Sequence, residues 1–343
     1  MIGRGVLSVR SMLVIHQGAL GDFILALPSL EMLRKRFPQA RIVFMGYPRI
    51  LELIEGRFYA EEILSIDQKG MASFFMREGI LDPQLSQIFK SFDLIVVFGK
   101  DGESPLMKNL KRLNGGEPFH IACLPGPNER IHLGSHFVRE LARYGLSSSA
   151  GEVPKLYLRE SDQEWATAYW LDQGVAVEDL LKVILIHPGS GSTKKVWPID
   201  RFLDLIRVLR RRFDSKTVII LGPAEGQEIR RAFEIAGGGT FIFLHGLSLI
   251  QLASAIRGCR LFIGNDSGVS HLAAALEIPT VALFGPTDPE IWSPRGKKVV
   301  TIRRKIQCSP CSRERCSQCQ HLECLNAIQV EDVVEGIGRA LAT

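Results

Sequence analysis

Dense aliphatic runs recur along the chain at Met12–His16, Arg41–Met45, Leu94–Phe98, Val183–His187, Val218–Leu221, Leu261–Gly264 and Thr280–Phe284. A strand with one wet face alternates apolar and polar residues, whereas a strand buried on both faces reads as a continuous apolar run. Each run here leads through a glycine-bearing loop into a helical pattern. Strands alternating with helices in this way predict parallel sheets covered on both faces. The expected fold class is therefore α/β and doubly wound.

The pattern also repeats once. Leu13-Val14-Ile15-His16-Gln17-Gly18 opens the first half and Ile184-Leu185-Ile186-His187-Pro188-Gly189 opens the second. Each leads into an amphipathic helix ending in Arg-Phe, at Arg36-Phe37 and Arg212-Phe213. The two histidines lie 171 positions apart, which is half the chain and not a solenoid period. Two Rossmann-like domains facing across a cleft are expected, residues 1–177 and 178–343, with the boundary near Gly174–Leu181. The stretch from Gln68 to Ser148 is less regular, and within it Lys100-Asp101-Gly102-Glu103-Ser104-Pro105 and Leu124-Pro125-Gly126-Pro127-Asn128 read as loops of the kind that shape a pocket.

Composition is consistent with this picture. The chain has 343 residues, 46% of them hydrophobic and 23% charged, which suffices for two cores. No apolar run reaches the roughly 18–20 residues of a membrane span. The N-terminus carries no apolar stretch before the first strand, so a cleaved secretory signal is not expected and a cytoplasmic location is. The net charge of +5 is mild. The basic clusters Arg34-Lys35-Arg36 and Arg210-Arg211-Arg212 fall at predicted helix ends, where cations suit the dipole. Attraction to anionic lipid headgroups is the alternative reading of such clusters. No basic stripe with interleaved aromatics supports nucleic-acid binding.

Three loops have the strand, glycine loop, helix order that presents backbone N–H groups to an anion. In Gln17-Gly18-Ala19-Leu20-Gly21-Asp22, Asp22 argues against an adjacent phosphate. It reads either as a helix N-cap, which spacing alone favours, or as a general base. In His187-Pro188-Gly189-Ser190-Gly191-Ser192-Thr193-Lys194-Lys195, Lys194 stands where a dinucleotide fingerprint needs its third glycine. The loop also misses the Walker A spacing. Its hydroxyls, N–H groups and two cations still favour phosphate, and Trp197-Pro198 is expected to start the following helix. In Gly264-Asn265-Asp266-Ser267-Gly268-Val269-Ser270-His271, Asp266 or Ser267 reads as a cap, His271 as a core histidine, and the whole loop as a phosphate and hydroxyl site. Gly285-Pro286-Thr287-Asp288 is expected beside the same strand ends.

Five of the seven cysteines crowd together, at Cys308, Cys311, Cys316, Cys319 and Cys324. Two Cys-x-x-Cys pairs are a zinc-like spacing. A reducing cytoplasm disfavours disulfides. Free thiols in a packed loop are the default expectation, with zinc or a cluster as the alternative. Cys123 and Cys259 are expected to be buried as small hydrophobes.

In the order and spacing of these pieces the sequence resembles the heptosyltransferases, glycosyltransferase family nine. The resemblance runs from about Met12 to Val330. It is carried by Gly21-Asp22 with Leu27-Pro28-Ser29-Leu30, His187-Pro188-Gly189 leading to Lys195-Val196-Trp197-Pro198, and His245-Gly246 with Leu252. Asn265-Asp266-Ser267-Gly268 with His271 and Leu283-Phe284-Gly285-Pro286-Thr287 complete it. The resemblance implies a GT-B fold and an inverting, metal-independent transfer that requires no cofactor. It implies ADP-heptose as donor in the C-terminal half and the inner core of lipopolysaccharide, or a related glycan, as acceptor in the N-terminal half. Peripheral contact with the inner face of the cytoplasmic membrane would accompany a lipid-linked acceptor.

Carried residue by residue, the resemblance makes Asp22 the catalytic base, with Gly18 and Gly21 in the acceptor-side loop, and Lys195 the diphosphate lysine, with Lys194 its rival. Donor binding falls to Gly189, Ser190, Lys194, Asp266, Ser267, Gly268 and His271, with Glu225 on the ribose, Glu228 as its fallback, and Leu247 beside the adenine. In the chemistry implied, the leaving diphosphate needs positive charge. A weak carboxylate base suffices if the proton leaves late. Rival expectations are a transferase using another nucleotide-sugar and glycan, a sugar-nucleotide epimerase, and a non-catalytic nucleotide-sugar-binding protein.

Overall fold

The computed structural model describes residues 9–126, 129–146, 152–222, 227–237 and 241–342. Contacts divide the chain into two compact units, Met1–Glu152 and Val153–Thr343.

In the first unit the described strands are β1 (Ser11–His16), β2 (Arg41–Gly46), β3 (Glu62–Ser65), β4 (Leu94–Gly99) and β5 (Phe119–Ala122). They form one parallel sheet in the order β3-β2-β1-β4-β5. The register pairs Met12 with Ile42 and Leu94, and His16 with Gly46 and Phe98. The central strands are buried along nearly their whole length, as their unbroken apolar runs require. One face packs on Phe74, Phe89 and Leu110, with Phe74 and Phe89 edge to face at 4.7 Å between centroids. The helix Leu20–Arg36 packs against the helix Leu133–Ala142. Arg34, Lys35 and Arg36 occupy the last turn of the first of these, as expected from the dipole.

In the second unit the described strands are β6 (Val183–His187), β7 (Lys216–Leu221), β8 (Ile242–His245), β9 (Leu261–Asn265), β10 (Thr280–Leu283) and β11 (Val299–Ile302). Their order is β11-β10-β9-β6-β7-β8, again parallel throughout. Trp197, Phe202, Leu205 and Leu209 pack one side of the core with Val333 and Ile337 of the C-terminal helix Val330–Ala342. Both units are therefore doubly wound α/β, as the sequence predicts.

The division at 152/153 lies upstream of the expected 177/178. The helix Glu160–Asp172 packs on the helix Leu249–Ile256 of the second unit. The buried Trp170 donates from Nε1 to the Ala255 carbonyl at 3.0 Å, and Leu156 N–H donates to Ala275 O at 3.0 Å. The stretch from Gln68 to Ser148 also holds more regular structure than its sequence suggests. Besides β4, which its apolar run predicts, it contains β5 and the helices Pro83–Lys90, Pro105–Asn114 and Leu133–Ala142.

A close backbone approach recurs in the two sheets. A Cβ at Gly46 would lie 2.3 Å from the His16 carbonyl oxygen, and one at Gly264 3.2 Å from that of His187. Gly46→Ala should therefore destabilise the protein by about 1–3 kcal/mol, since the clash is with backbone. Gly116→Ala, with nothing near the added methyl, should stay within about 0.5 kcal/mol of wild type. Urea unfolding of the two variants checks this, and equal stabilities would refute the steric account.

Candidate functional site

Open parallel sheets bind ligands beyond the carboxyl ends of the strands, where the strand order reverses. In the second unit that switch point lies between β6 and β9. The loops that leave these two strands are the two lysine- and aspartate-bearing loops singled out from the sequence.

Asn265, fully buried at the end of β9, stitches them together. Its Nδ2 donates to Pro188 O at 2.7 Å and Gly189 O at 3.3 Å, and its Oδ1 accepts from Trp197 N–H at 3.0 Å. Ser190 Oγ donates to Asp266 O at 2.8 Å, and Ser270 Oγ to Asn265 O at 2.6 Å. The first loop then forms a 3-10 turn, Thr193–Lys195, before the helix Ile199–Arg212. Pro198 sits at the N-cap position of that helix, one residue outside it.

The two lysines separate cleanly. Lys195 Nζ lies 2.7 Å from Asp266 Oδ2, which also accepts the Thr287 hydroxyl. Lys194 turns away and donates to the Cys319 carbonyl. Asp266 is therefore not a helix cap. Its side chain is 7% exposed and that of Lys195 30%, so the ammonium reaches solvent while its partner stays inside. The helix Gly268–Ala275 begins beside this pair. Ser267 occupies its N-cap position but makes no capping bond; its Oγ lies 3.3 Å from His187 Nδ1 and 3.4 Å from Ser270 Oγ. Orphan N–H groups of a first helical turn next to an ammonium make an anion site.

Burial lowers the pKa of His187 to about 4, so its ring is neutral at pH 7. Gly189 and His271 are buried, whereas Gly268 is half-buried. Leu247 is half-buried just past the end of β8, on the same edge of the sheet. Glu225 lies outside the described residues, as does the side chain of Glu228.

In the first unit the corresponding switch point is between β1 and β4. Gly18 N–H donates to His16 Nδ1 at 3.2 Å, and Ala19 N–H to Asp22 Oδ2 at 3.2 Å. Asp22 is thus the third residue of the helix Leu20–Arg36 reaching back to the N-cap residue, and the N-cap itself is Ala19. A Cβ at Gly18 would lie 2.6 Å from the His16 ring and 2.9 Å from Asp22 Cβ, so this turn needs glycine. Gly21 is half-buried in the first helical turn. Burial lowers His16 to a pKa of about 4. Cys123 is half-buried rather than buried; burial raises its pKa, Lys100 lowers it and Asp22 raises it. Asp22 and Lys100 therefore share one neighbourhood. Sequence reasoning left Lys100 in a loop, although its place directly after β4 is the available signal.

All seven cysteines are free thiols, and Cys259 is buried as expected. Among the described residues no three His, Cys, Asp or Glu side chains are placed to hold a metal ion. No helix among them is long and apolar enough to cross a membrane.

Two Rossmann-like units of this kind make up the GT-B fold. A solved glycosyltransferase family 9 protein of Veillonella parvula superposes with a TM-score of 0.77 at 20% identity, over 97% of either chain. The Escherichia coli ADP-heptose lps heptosyltransferase II superposes with a TM-score of 0.71 at 20% identity, over 97% of this chain and 98% of that one. In sequence, lipopolysaccharide heptosyltransferase 3 of E. coli K12 is 22% identical over 299 residues, 82% of this chain and 84% of that protein. Residues 153–321 match glycosyltransferase family 9 (heptosyltransferase). The match lies within the second unit, Val153–Thr343.

The buried histidines predict an acid limb in stability. An unfolded histidine titrates near 6.5, whereas His187 is held to about 4. Between those values the unfolded chain binds more protons, so this contribution is intact above about pH 6.5 and is lost as pH falls toward 4. His187→Gln should flatten that slope, leaving the part due to His16. Urea unfolding at about pH 7 and about pH 5 checks it; an unchanged slope would show that His187 is not buried neutral.

Proposed function

We propose that the protein is an inverting glycosyltransferase that moves a heptose from ADP-heptose to a hydroxyl of the lipopolysaccharide inner core or a related glycan. The observation that carries this reading is the Lys195–Asp266 pair at the start of the helix Gly268–Ala275, on the β6/β9 switch point. It supplies a cation and helical N–H groups where the family's nucleotide-sugar diphosphate is expected. The likeness to the E. coli ADP-heptose lps heptosyltransferase II supports ADP-heptose as the donor.

In this mechanism the acceptor oxygen attacks the anomeric carbon, and the bond from that carbon to the diphosphate oxygen breaks with its electron pair going to the phosphate. Lys195 and the N–H groups stabilise the charge that develops there. The acceptor proton passes to the Asp22 carboxylate, which the Ala19 N–H holds in orientation. A carboxylate at a helix N-terminus is a weak base, suited to a proton that leaves after the new bond has begun to form. His187, Ser190, Ser267 and Asn265 form the frame; their polar atoms are bonded to one another or to backbone. Gly189 is assigned to the donor loop, Leu247 to the adenine and Glu225 to the ribose. A lipid-linked acceptor would bring the protein to the inner face of the cytoplasmic membrane.

Calorimetric titration with ADP, UDP and GDP tests the donor. ADP should bind best, and Lys195→Ala should weaken it by roughly 10- to 150-fold, the worth of one charge-assisted hydrogen bond. Asp22→Asn should keep ADP binding and lose about 10²–10⁴-fold in turnover. Preference for UDP or GDP would replace the donor assignment, and absence of nucleotide binding would sink the transferase reading.

A further inference from the structure

Thr287 carries no assigned role, yet its hydroxyl bonds to the same Asp266 oxygen that holds Lys195. We propose that Thr287 and Asp266 are positioning residues that set the Lys195 ammonium in place for the donor diphosphate. This rests on the donor site proposed above.

Asp266 is fixed from several sides. Its N–H donates to Leu283 O at 2.9 Å, its carbonyl accepts Ser190 Oγ at 2.8 Å, and its carboxylate takes both Lys195 and Thr287. With its side chain 7% exposed, it acts on a ligand through the lysine. Lysine is a flexible stem bearing three donors, and holding it before the ligand arrives removes an ordering cost from binding. The Thr287 hydroxyl has a second effect. By donating to the oxygen that faces Lys195 it disperses that oxygen's charge. The ammonium is thus ordered without being saturated, and its other two N–H groups remain for phosphate oxygens.

Thr287 is itself anchored from outside the site. Ser309 Oγ donates to Gly285 O at 2.6 Å, and Cys311 N–H to Pro286 O at 2.7 Å. A Cβ at Gly285 would lie 2.5 Å from Leu325 and 3.2 Å from Cys324 Sγ, so the loop lies flat on that segment. Arg303 spans the two, donating to Ser309 O at 2.7 Å and lying 3.8 Å from Asp288 Oδ1. The anchoring fixes where the Thr287 hydroxyl points, and with it the carboxylate and the lysine.

The test is calorimetric titration of Thr287→Val, Thr287→Ser, Lys195→Ala and the Lys195→Ala/Thr287→Val double variant with ADP and with adenosine. Thr287→Val should weaken ADP about tenfold and leave adenosine unchanged, because adenosine has no diphosphate for the lysine to meet. Thr287→Ser should restore ADP binding. The double variant should bind ADP no more weakly than Lys195→Ala alone, since a residue acting through the lysine has nothing left to position. Wild-type affinity for ADP in Thr287→Val, equal losses for ADP and adenosine, or losses that multiply in the double variant would each overturn the proposal while leaving the donor site standing. Failure of the wild-type protein to bind ADP would overturn both.

Discussion

At the end of β9 a buried amide makes three hydrogen bonds into a loop that lies 68 to 77 positions earlier in the chain. Asn265 satisfies two carbonyls and one N–H that no regular element could reach, because the loop from Pro188 to Trp197 leaves one strand as Asn265 leaves its neighbour. Buried backbone groups left unpaired cost about 1–3 kcal/mol each, so this one side chain holds the loop against a substantial penalty. The rest of this site depends on it. The loop's path brings Ser190 to the Asp266 carbonyl and Lys195 to the Asp266 carboxylate. Trp197 is tied at its backbone by Asn265, and its indole donates to Ile328 O, which draws the segment before the C-terminal helix into the same frame.

The two units solve the same local problem and then diverge in charge. Each begins with a strand ending in a buried histidine whose carbonyl lies against a glycine of the neighbouring strand, His16 against Gly46 and His187 against Gly264. Burial keeps both rings neutral at pH 7, so neither histidine adds charge to its site. After the histidine the first unit turns at once into a helix whose third residue is Asp22. The second inserts a longer loop carrying Lys194 and Lys195. The first unit thus places a carboxylate beyond the end of its first strand, and the second an ammonium.

The central strands were legible because burial on both faces leaves an unmistakable apolar run. The strands β3, β5, β8 and β11 were not, since each is four residues long and at least half of each is only partly buried. The helix Glu160–Asp172 joins the second unit through Trp170 and Ala255, a contact between residues 85 positions apart that local pattern does not reveal. Asp22 and Asp266 each read as a candidate N-cap. The structure gives Asp22 the return half of a capping box and gives Asp266 a lysine. Neither distinction is visible from spacing, which places a residue along the chain without saying which atoms arrive opposite it. The choice between Lys194 and Lys195 has the same origin: adjacent side chains point apart, and only the fold shows which way each goes.

The cysteine-rich segment also has a structural part in the fold. Two Cys-x-x-Cys pairs invite a metal, and thiolates would be the ligands. Cys324, outside both pairs, packs against Gly285, and burial pushes its thiol up to about 11. The neighbouring contacts use the backbone. Cys311 gives its N–H to Pro286, and Cys319 gives its carbonyl to Lys194. Through these the segment holds the Gly285–Asp288 loop on one side and the lysine loop on the other, the two elements that meet at Asp266. Its shape therefore bears on the geometry of Lys195, and a change in this segment would be felt first as a shift in where the Thr287 hydroxyl points.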